Sequence, residues 1–235
     1  MTTAADLFLS PELAGPNALL VYGGGGHGKA LIDLVRALGA YRLVGVVDDG
    51  LPAGSAVLGA PVLGGVGTLA ELAARGVRLA VNGVGGIGNV AVRLKVFEAL
   101  RLAGMTCPAL MHPTAWVEPS ASLDAGVQVL AQSYISSAAQ VGFGTVINAG
   151  VVVSHDCKLG RVVNLSPGAM LAGGVELDDF VQVGMAATIN LGIHVGQGAR
   201  IGNGATVKAD VPAGQVVRAG SIWPVPDQSQ PERQK

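Results

Sequence analysis

Between Val117 and Val207 an aliphatic residue recurs at every sixth position without a miss, from Val117, Leu123, Val129 and Ile135 through Ile189, Val195 and Ile201 to Val207. Four residues after each stands a second small or apolar residue, among them Val127, Ala139, Val151, Cys157 and Ala169. A helix repeats its apolar face at three and four residues and a half-buried strand at two, so neither produces this period. A six-residue period predicts a parallel β-helix, in which each hexapeptide is one short strand plus a corner and stacking buries a continuous apolar interior. Three hexapeptides close a triangular coil of eighteen residues, so residues eighteen apart lie above one another and the sixteen repeats make about five coils.

Upstream of the repeats the pattern changes. Residues Ala18–Tyr22 are an apolar run, Gly23–Gly28 a glycine loop, and Lys29–Leu38 an amphipathic helix offering Ala30, Ile32, Leu34, Val35 and Leu38 to a core. A second strand, Leu43–Val47, ends in Asp48 and Asp49; a third strand at Val77–Val81, a helix at Val90–Leu102 and a last strand at Thr106–Met111 complete the segment. This is an α/β unit of the Rossmann kind, with Gly23, Gly25 and Gly28 in GxGxxG spacing and an acidic pair about twenty residues on. Its length suits one mononucleotide half rather than two, and so a single nucleotide rather than NAD. Gly24, Gly25, Gly26 and His27 are expected around the phosphates, with His27 exposed in the loop, while Asp48 and Asp49 face ribose or base. Tight strand-to-helix packing alone is the competing explanation of the glycines. The chain thus divides into residues 1–111, an α/β nucleotide-binding domain, residues 112–224, an all-β parallel β-helix, and a disordered tail at 225–235.

Composition narrows the function. A net charge of −1 with 13% charged residues leaves no basic footprint for a phosphate backbone, so nucleic acid is not expected as a partner. Hydrophobic residues reach 50%, yet no apolar stretch attains the ~20 residues of a membrane span, and Met1–Ser10 lacks the make-up of a secretory signal. A cytoplasmic protein is expected. Two cysteines are too few for a disulfide framework or metal cluster, and Cys157 sits at an inward position. Aromatic content of 4% fits a narrow prism with little room for rings. A zinc site is not expected, because His112, His155 and His194 are not separated by multiples of a coil.

The chemistry concentrates at the corner Val153-Ser154-His155-Asp156-Cys157-Lys158, which carries the chain's His-Asp pair. An imidazole at a corner can project into a groove, and the adjacent carboxylate can fix its tautomer and stabilise the imidazolium, which equips it as a general base. A solvated polar corner is the plainer alternative. Gly173 follows His155 by one coil and is expected about 5 Å above it.

The run Ile147-Asn148-Ala149-Gly150-Val151-Val152-Val153-Ser154-His155-Asp156-Cys157, followed by Leu165-Ser166-Pro167-Gly168-Ala169 and Leu171-Ala172-Gly173-Gly174-Val175, resembles the signature of the sialic-acid O-acetyltransferase and nucleotide-sugar N-acetyltransferase family. The likeness spans nearly the whole chain, including the glycine loop, Asp48-Asp49 and the Gly88-Asn89…Arg93 segment. It implies a left-handed β-helix and acetyl-CoA as cosubstrate, with the amino group of a nucleotide-linked 4-amino-4,6-dideoxy sugar as acceptor. It also implies His155 as base supported by Asp156, the Gly173 N–H on the thioester carbonyl, Asn164 near acetyl-CoA, and Asn148 at the substrate. O-acetylation of a sugar, or a noncatalytic nucleotide-binding scaffold, are the alternatives. The sequence departs from the family at Asn164, where relatives often carry histidine, at Gly220-Ser221-Ile222-Trp223-Pro224, and in the glycine-rich Asn82–Gly88, which is expected to reshape the acceptor pocket. Outward apolar residues such as Val152, Met170 and Met185 predict prisms packed side by side in a homotrimer.

Overall fold

The computed structural model describes residues 15–225. The segment Met1–Ser10 and, Val225 apart, the tail at 225–235 lie outside the described residues. The chain forms two compact units: residues up to Ala115 together with Leu123–Ala131, and Trp116–Ser122 together with the residues from Gln132 onward.

The first unit is built on β1 (Ala18–Tyr22), α1 (Gly26–Leu38), β2 (Arg42–Val47), β3 (Ala56–Val57), β4 (Ala60–Gly64), α2 (Leu69–Ala74), β5 (Leu79–Asn82) and α3 (Val90–Leu102). Its sheet runs β3-β4-β2-β1-β5, parallel except for the β3–β4 hairpin. Strand β1 lies inside the sheet between β2 and β5 and is buried along its whole length, which is why it reads as an unbroken apolar run rather than an alternating one. Helix α1 begins at Gly26, three residues earlier than its amphipathic pattern suggests, and buries Leu31, Ile32, Leu34 and Val35; Ala30 faces solvent. The close approach of α1 to β1 depends on one glycine, because a Cβ at Gly28 would lie 1.9 Å from the Gly23 carbonyl oxygen.

The sequence pattern misses β3, β4 and α2 and misplaces the last strand. Within Thr106–Met111 only Thr106 pairs with the sheet, bridging Leu79, while β6 (Leu110–Met111) pairs in parallel with Gln128–Val129, eighteen residues on, and Leu110 packs into the core beside β1. The coiled pattern therefore starts one hexapeptide before Val117.

The second unit is the predicted prism. Its strands pair in parallel with partners eighteen residues apart, as Tyr134 with Val152, Lys158 with Glu176 and Asn164 with Gln182. The last turn is two residues shorter, pairing Ile201 with Val217 and Val207 with Trp223. Both inward positions of each hexapeptide are buried, from Ile135 and Ala139 to Val207 and Val211. From Gly126 to Gly204 a left-handed residue recurs at a six-residue spacing: glycine at Gly144, Gly150, Gly168 and Gly174, and a residue with a side chain at Gln132, Ala138, Val162, Phe180, Ala186 and, at the His-Asp corner, Asp156 (φ 59°). The three faces differ. One presents Trp116, Tyr134, Val152, Met170, Thr188 and Thr206 in register. The second presents Gln140, Lys158, Glu176 and His194, and the third Val146, Asn164, Gln182 and Arg200. Met185, expected with the apolar positions, lies in a corner turn and not on the first face. No helix of the described residues is long and apolar enough to cross a membrane.

Candidate functional site

The corner at His155 joins the first face to the second. His155 Nδ1 hydrogen-bonds to Asp156 Oδ2 at 2.7 Å, with both side chains largely exposed. A carboxylate only accepts, so Nδ1 carries a proton and, in the neutral ring, Nε2 is the lone-pair nitrogen. The left-handed backbone at Asp156, held by its N–H donating to Ser137 O at 3.0 Å, turns the carboxylate back toward the ring. One coil on, Gly174 N–H donates to His155 O at 2.9 Å, which fixes Gly173 against the imidazole. A Cβ on Gly173 would stand 2.5 Å from His155 Cε1 and 2.6 Å from Nε2, so only glycine leaves the ring its place. No acceptor among the described residues takes the Gly173 N–H. An uncommitted amide and an imidazole lone pair thus share one small region of the corner.

The other prism residues expected at the site stand elsewhere in the chain. Asn148 lies between the third and first faces, where its Nδ2 donates to Leu165 O at 2.7 Å and its backbone carbonyl accepts from Ser133 Oγ at 2.7 Å. Asn164 is 3% exposed on the third face and its Nδ2 donates to Ser166 Oγ at 3.3 Å. Within one chain its carboxamide faces protein. The other two histidines have partners of their own, His112 Nδ1 at Thr114 Oγ1 and His194 Nε2 at Asp178 Oδ1, the latter contact raising the His194 pKa.

In the first unit, Gly25 and Gly26 are exposed with open space where a side chain would stand, whereas Gly24 is buried. Gly24 N–H donates to Asp48 Oδ2 at 2.7 Å, and Asp48 Oδ1 accepts from Gly50 N–H at 2.8 Å. Asp49 is gripped likewise, by Tyr22 Oη at 2.7 Å and by Val66 N–H at 2.7 Å. The acid pair therefore ties the glycine loop, the β2 end and the segment after β4 into one rim. Burial and the bond to Asp49 raise the Tyr22 pKa, so this hydroxyl stays a donor. The rim borders a cavity of about 410 Å³ lined by Tyr22, Asp48, Asp49, Val66, Val84 and Lys95, among others. Lys95 and Tyr22 carried no sequence signal; Lys95 is one of three cations on α3, with Arg93 and Arg101, and Tyr22 only ends an apolar run.

His27 is not the exposed loop residue its sequence suggests. It stands in the first turn of α1, half-buried, with Nε2 2.7 Å from Gln128 Oε1. Burial lowers its pKa, an effect partly offset by the Gln128 bond, because desolvation penalises the charged ring. Its partner is 101 residues away, and nothing local in the sequence could have announced it.

Residues 18–100 match the PglD N-terminal domain family. No curated protein matches the chain. Among solved structures, a single-site variant of perosamine N-acetyltransferase from Caulobacter crescentus, in complex with CoA and GDP-perosamine, is similar. The two are 32% identical over 88% of this chain and 95% of that one, with a TM-score of 0.81. The acetyltransferase domain of PglB from Neisseria gonorrhoeae in complex with acetyl coenzyme A is 32% identical, covering 88% and 98%, with a TM-score of 0.79. WeeI from Acinetobacter baumannii is 27% identical over 86% and 96%, with a TM-score of 0.78. With this identity sustained over both units, the chain belongs to the nucleotide-sugar N-acetyltransferase family of left-handed β-helix, hexapeptide-repeat acyltransferases.

Proposed function

We propose that the protein acetylates the amino group of a nucleotide-linked 4-amino-4,6-dideoxy sugar, with acetyl-CoA as cosubstrate and bacterial surface glycan as destination. The observation that carries this reading is the His155 corner, where an oriented imidazole lone pair and an uncommitted Gly173 N–H lie together. Acetyl-CoA supplies an activated thioester. His155 Nε2 accepts the proton of the attacking amine while Asp156 keeps the ring in that tautomer and supports the imidazolium. The Gly173 N–H donates to the thioester carbonyl as charge develops on its oxygen, a role worth about 10²–10³ in rate. In the first unit, the exposed start of α1 at its capping residue Gly25 and at Gly26 takes the phosphates, with Gly24 and His27 on either side shaping the approach, and Asp48 and Asp49 set the rim of the nucleoside cavity. This assigns residues 1–111 to the nucleotide and 112–224 to the chemistry.

The same reading makes the enzyme a homotrimer packed through the first prism face. There Trp116, Met170 and Ile222 are at least two-fifths exposed and Val152 continues the stripe. In such a trimer the His155 corner of one subunit meets a neighbour, Asn148 serves by bracing adjacent coils, and Asn164 is tied to Ser166 within its own coil. Both substrates are cytoplasmic metabolites, so the reaction belongs to the cytoplasm.

The test is CoA release with GDP-perosamine and with a UDP-linked 4-amino sugar. His155→Ala should lower kcat by about 10²–10⁴ with both KM values little changed, and Asp156→Asn should lower it less. Near-wild-type turnover by folded His155→Ala would refute the base assignment.

A further inference from the structure

Asn82, Arg93 and Gln128 are polar, at most 1% exposed, and unused by the chemistry above. All three belong to the first unit and form one chain of hydrogen bonds. Gln128 Nε2 donates to Asn82 O at 2.9 Å, and Asn82 Nδ2 donates to Arg93 O at 2.9 Å. Asn82 Oδ1 accepts from Val84 N–H at 3.1 Å, and Arg93 Nη1 donates to Val84 O. At the other end stands His27 on Gln128 Oε1.

The direction of the chain is forced. The Gln128 amide nitrogen is committed to a carbonyl, so its oxygen faces His27 and can only accept. His27 must therefore carry its proton on Nε2, leaving Nδ1 as the lone-pair nitrogen. Val84 is held at both its N–H and its C=O, and it lines the cavity beside Asp48 and Asp49. The same backbone is pressed onto the glycine loop: Gly83 N–H donates to Tyr22 O at 2.6 Å, and a Cβ on Gly23 would lie 3.3 Å from Val84 N. Burying a guanidinium is expensive, and an apolar side chain would fill the space at lower cost. Burial pulls the Arg93 pKa down to about 10, and the Phe97 ring lies 5.5 Å from its guanidinium carbon. A buried polar chain that ends at both the glycine loop and a cavity wall does more than pack.

We infer that Gln128, Asn82 and Arg93 are positioning residues for the acceptor nucleotide, locking His27 as the Nε2–H tautomer and clamping Val84 so that the cavity wall is preformed. This rests on the proposed reading of that cavity. Gln128→Leu keeps the volume and removes both hydrogen bonds. With the better of GDP-perosamine and the UDP-linked 4-amino sugar, acceptor KM should rise about tenfold while kcat and acetyl-CoA KM change by less than about threefold. The ¹⁵N shifts of the His27 ring should pass from a single tautomer to a mixture. Arg93→Met should raise acceptor KM similarly and speed hydrogen exchange at Val84; should it fail to fold, Gln128→Leu still decides. An active wild type with acceptor KM and His27 tautomer both unchanged in Gln128→Leu overturns the inference, whatever happens to Tm. A wild type inert toward both acceptors would instead sink the proposed acceptor class and with it the acceptor role of these residues.

Discussion

At the scale of single residues, the catalytic corner depends on an atom that is missing. The imidazole of His155 occupies the space where any other residue at 173 would place its Cβ, and the bond to Asp156 then has only one ring orientation to hold. Gly173→Ala puts a methyl group against the far end of a mobile side chain, so the ring should swing aside while the coils stay stacked. Kcat should fall by about 10² or more with Tm nearly unchanged, because misplacing a general base forfeits most of its contribution. Steady-state kinetics beside a melting curve check this. The pairing of His155 with Gly173 was legible in the sequence as a spacing of one coil. The steric reason for the glycine was not, since it appears only when the ring is in place.

At the scale of elements, the acidic pair ending β2 binds backbone before it binds anything else. Asp48 holds Gly24 and Gly50, and Asp49 holds Val66 and the Tyr22 hydroxyl. Asp48→Ala frees two donors and loosens the loop before α1, so acceptor KM should rise about tenfold while acetyl-CoA KM stays put. Isothermal titration with GDP and with acetyl-CoA separates the two effects, and equal weakening of both would contradict the assignment. The apolar runs of β1 and β2 and the amphipathic helices α1 and α3 announce themselves. The two-residue β3 and Leu110–Met111 carry no period at all, and the six-residue α2 makes less than two helical turns. The strand Leu110–Met111 was also drawn to the wrong sheet, since its apolar run reads equally well as an edge strand or as the opening of the prism.

At the scale of the whole molecule, assembly and pH response follow from faces and buried charge. Met170 stands in the middle of the apolar first face, between Val152 and Thr188. In the proposed homotrimer this face is covered, so Met170→Glu should leave the coils folded, by circular dichroism, and shift sedimentation toward the monomer with loss of activity. Two histidines bend the stability profile in opposite senses. Burial depresses the His27 pKa, so protonation favours the unfolded chain: its contribution is present above about pH 6.5 and is lost as pH falls through the window beneath. The Asp178 bond raises the His194 pKa, so that contribution is present below about pH 6.5 and lost as pH rises through its higher folded value, weakly because the pair is exposed. Tm measured from about pH 5 to about pH 8 should drop on the acid side for the wild type and flatten there in His27→Gln.

The sequence by itself determined the coil length, the register, the inward residues and the stacking of His155 with Gly173. A six-residue period leaves a chain one way to bury every sixth aliphatic side chain, and coil-to-coil neighbours then follow by counting. Only the tertiary structure decided that His27 is half-buried on Gln128, that Arg93 and Asn82 clamp Val84, and that Asp48 and Asp49 spend their oxygens on the loops around them. Those partners are set by where separate segments meet in space, and a hydrogen bond between distant residues leaves no period in the chain.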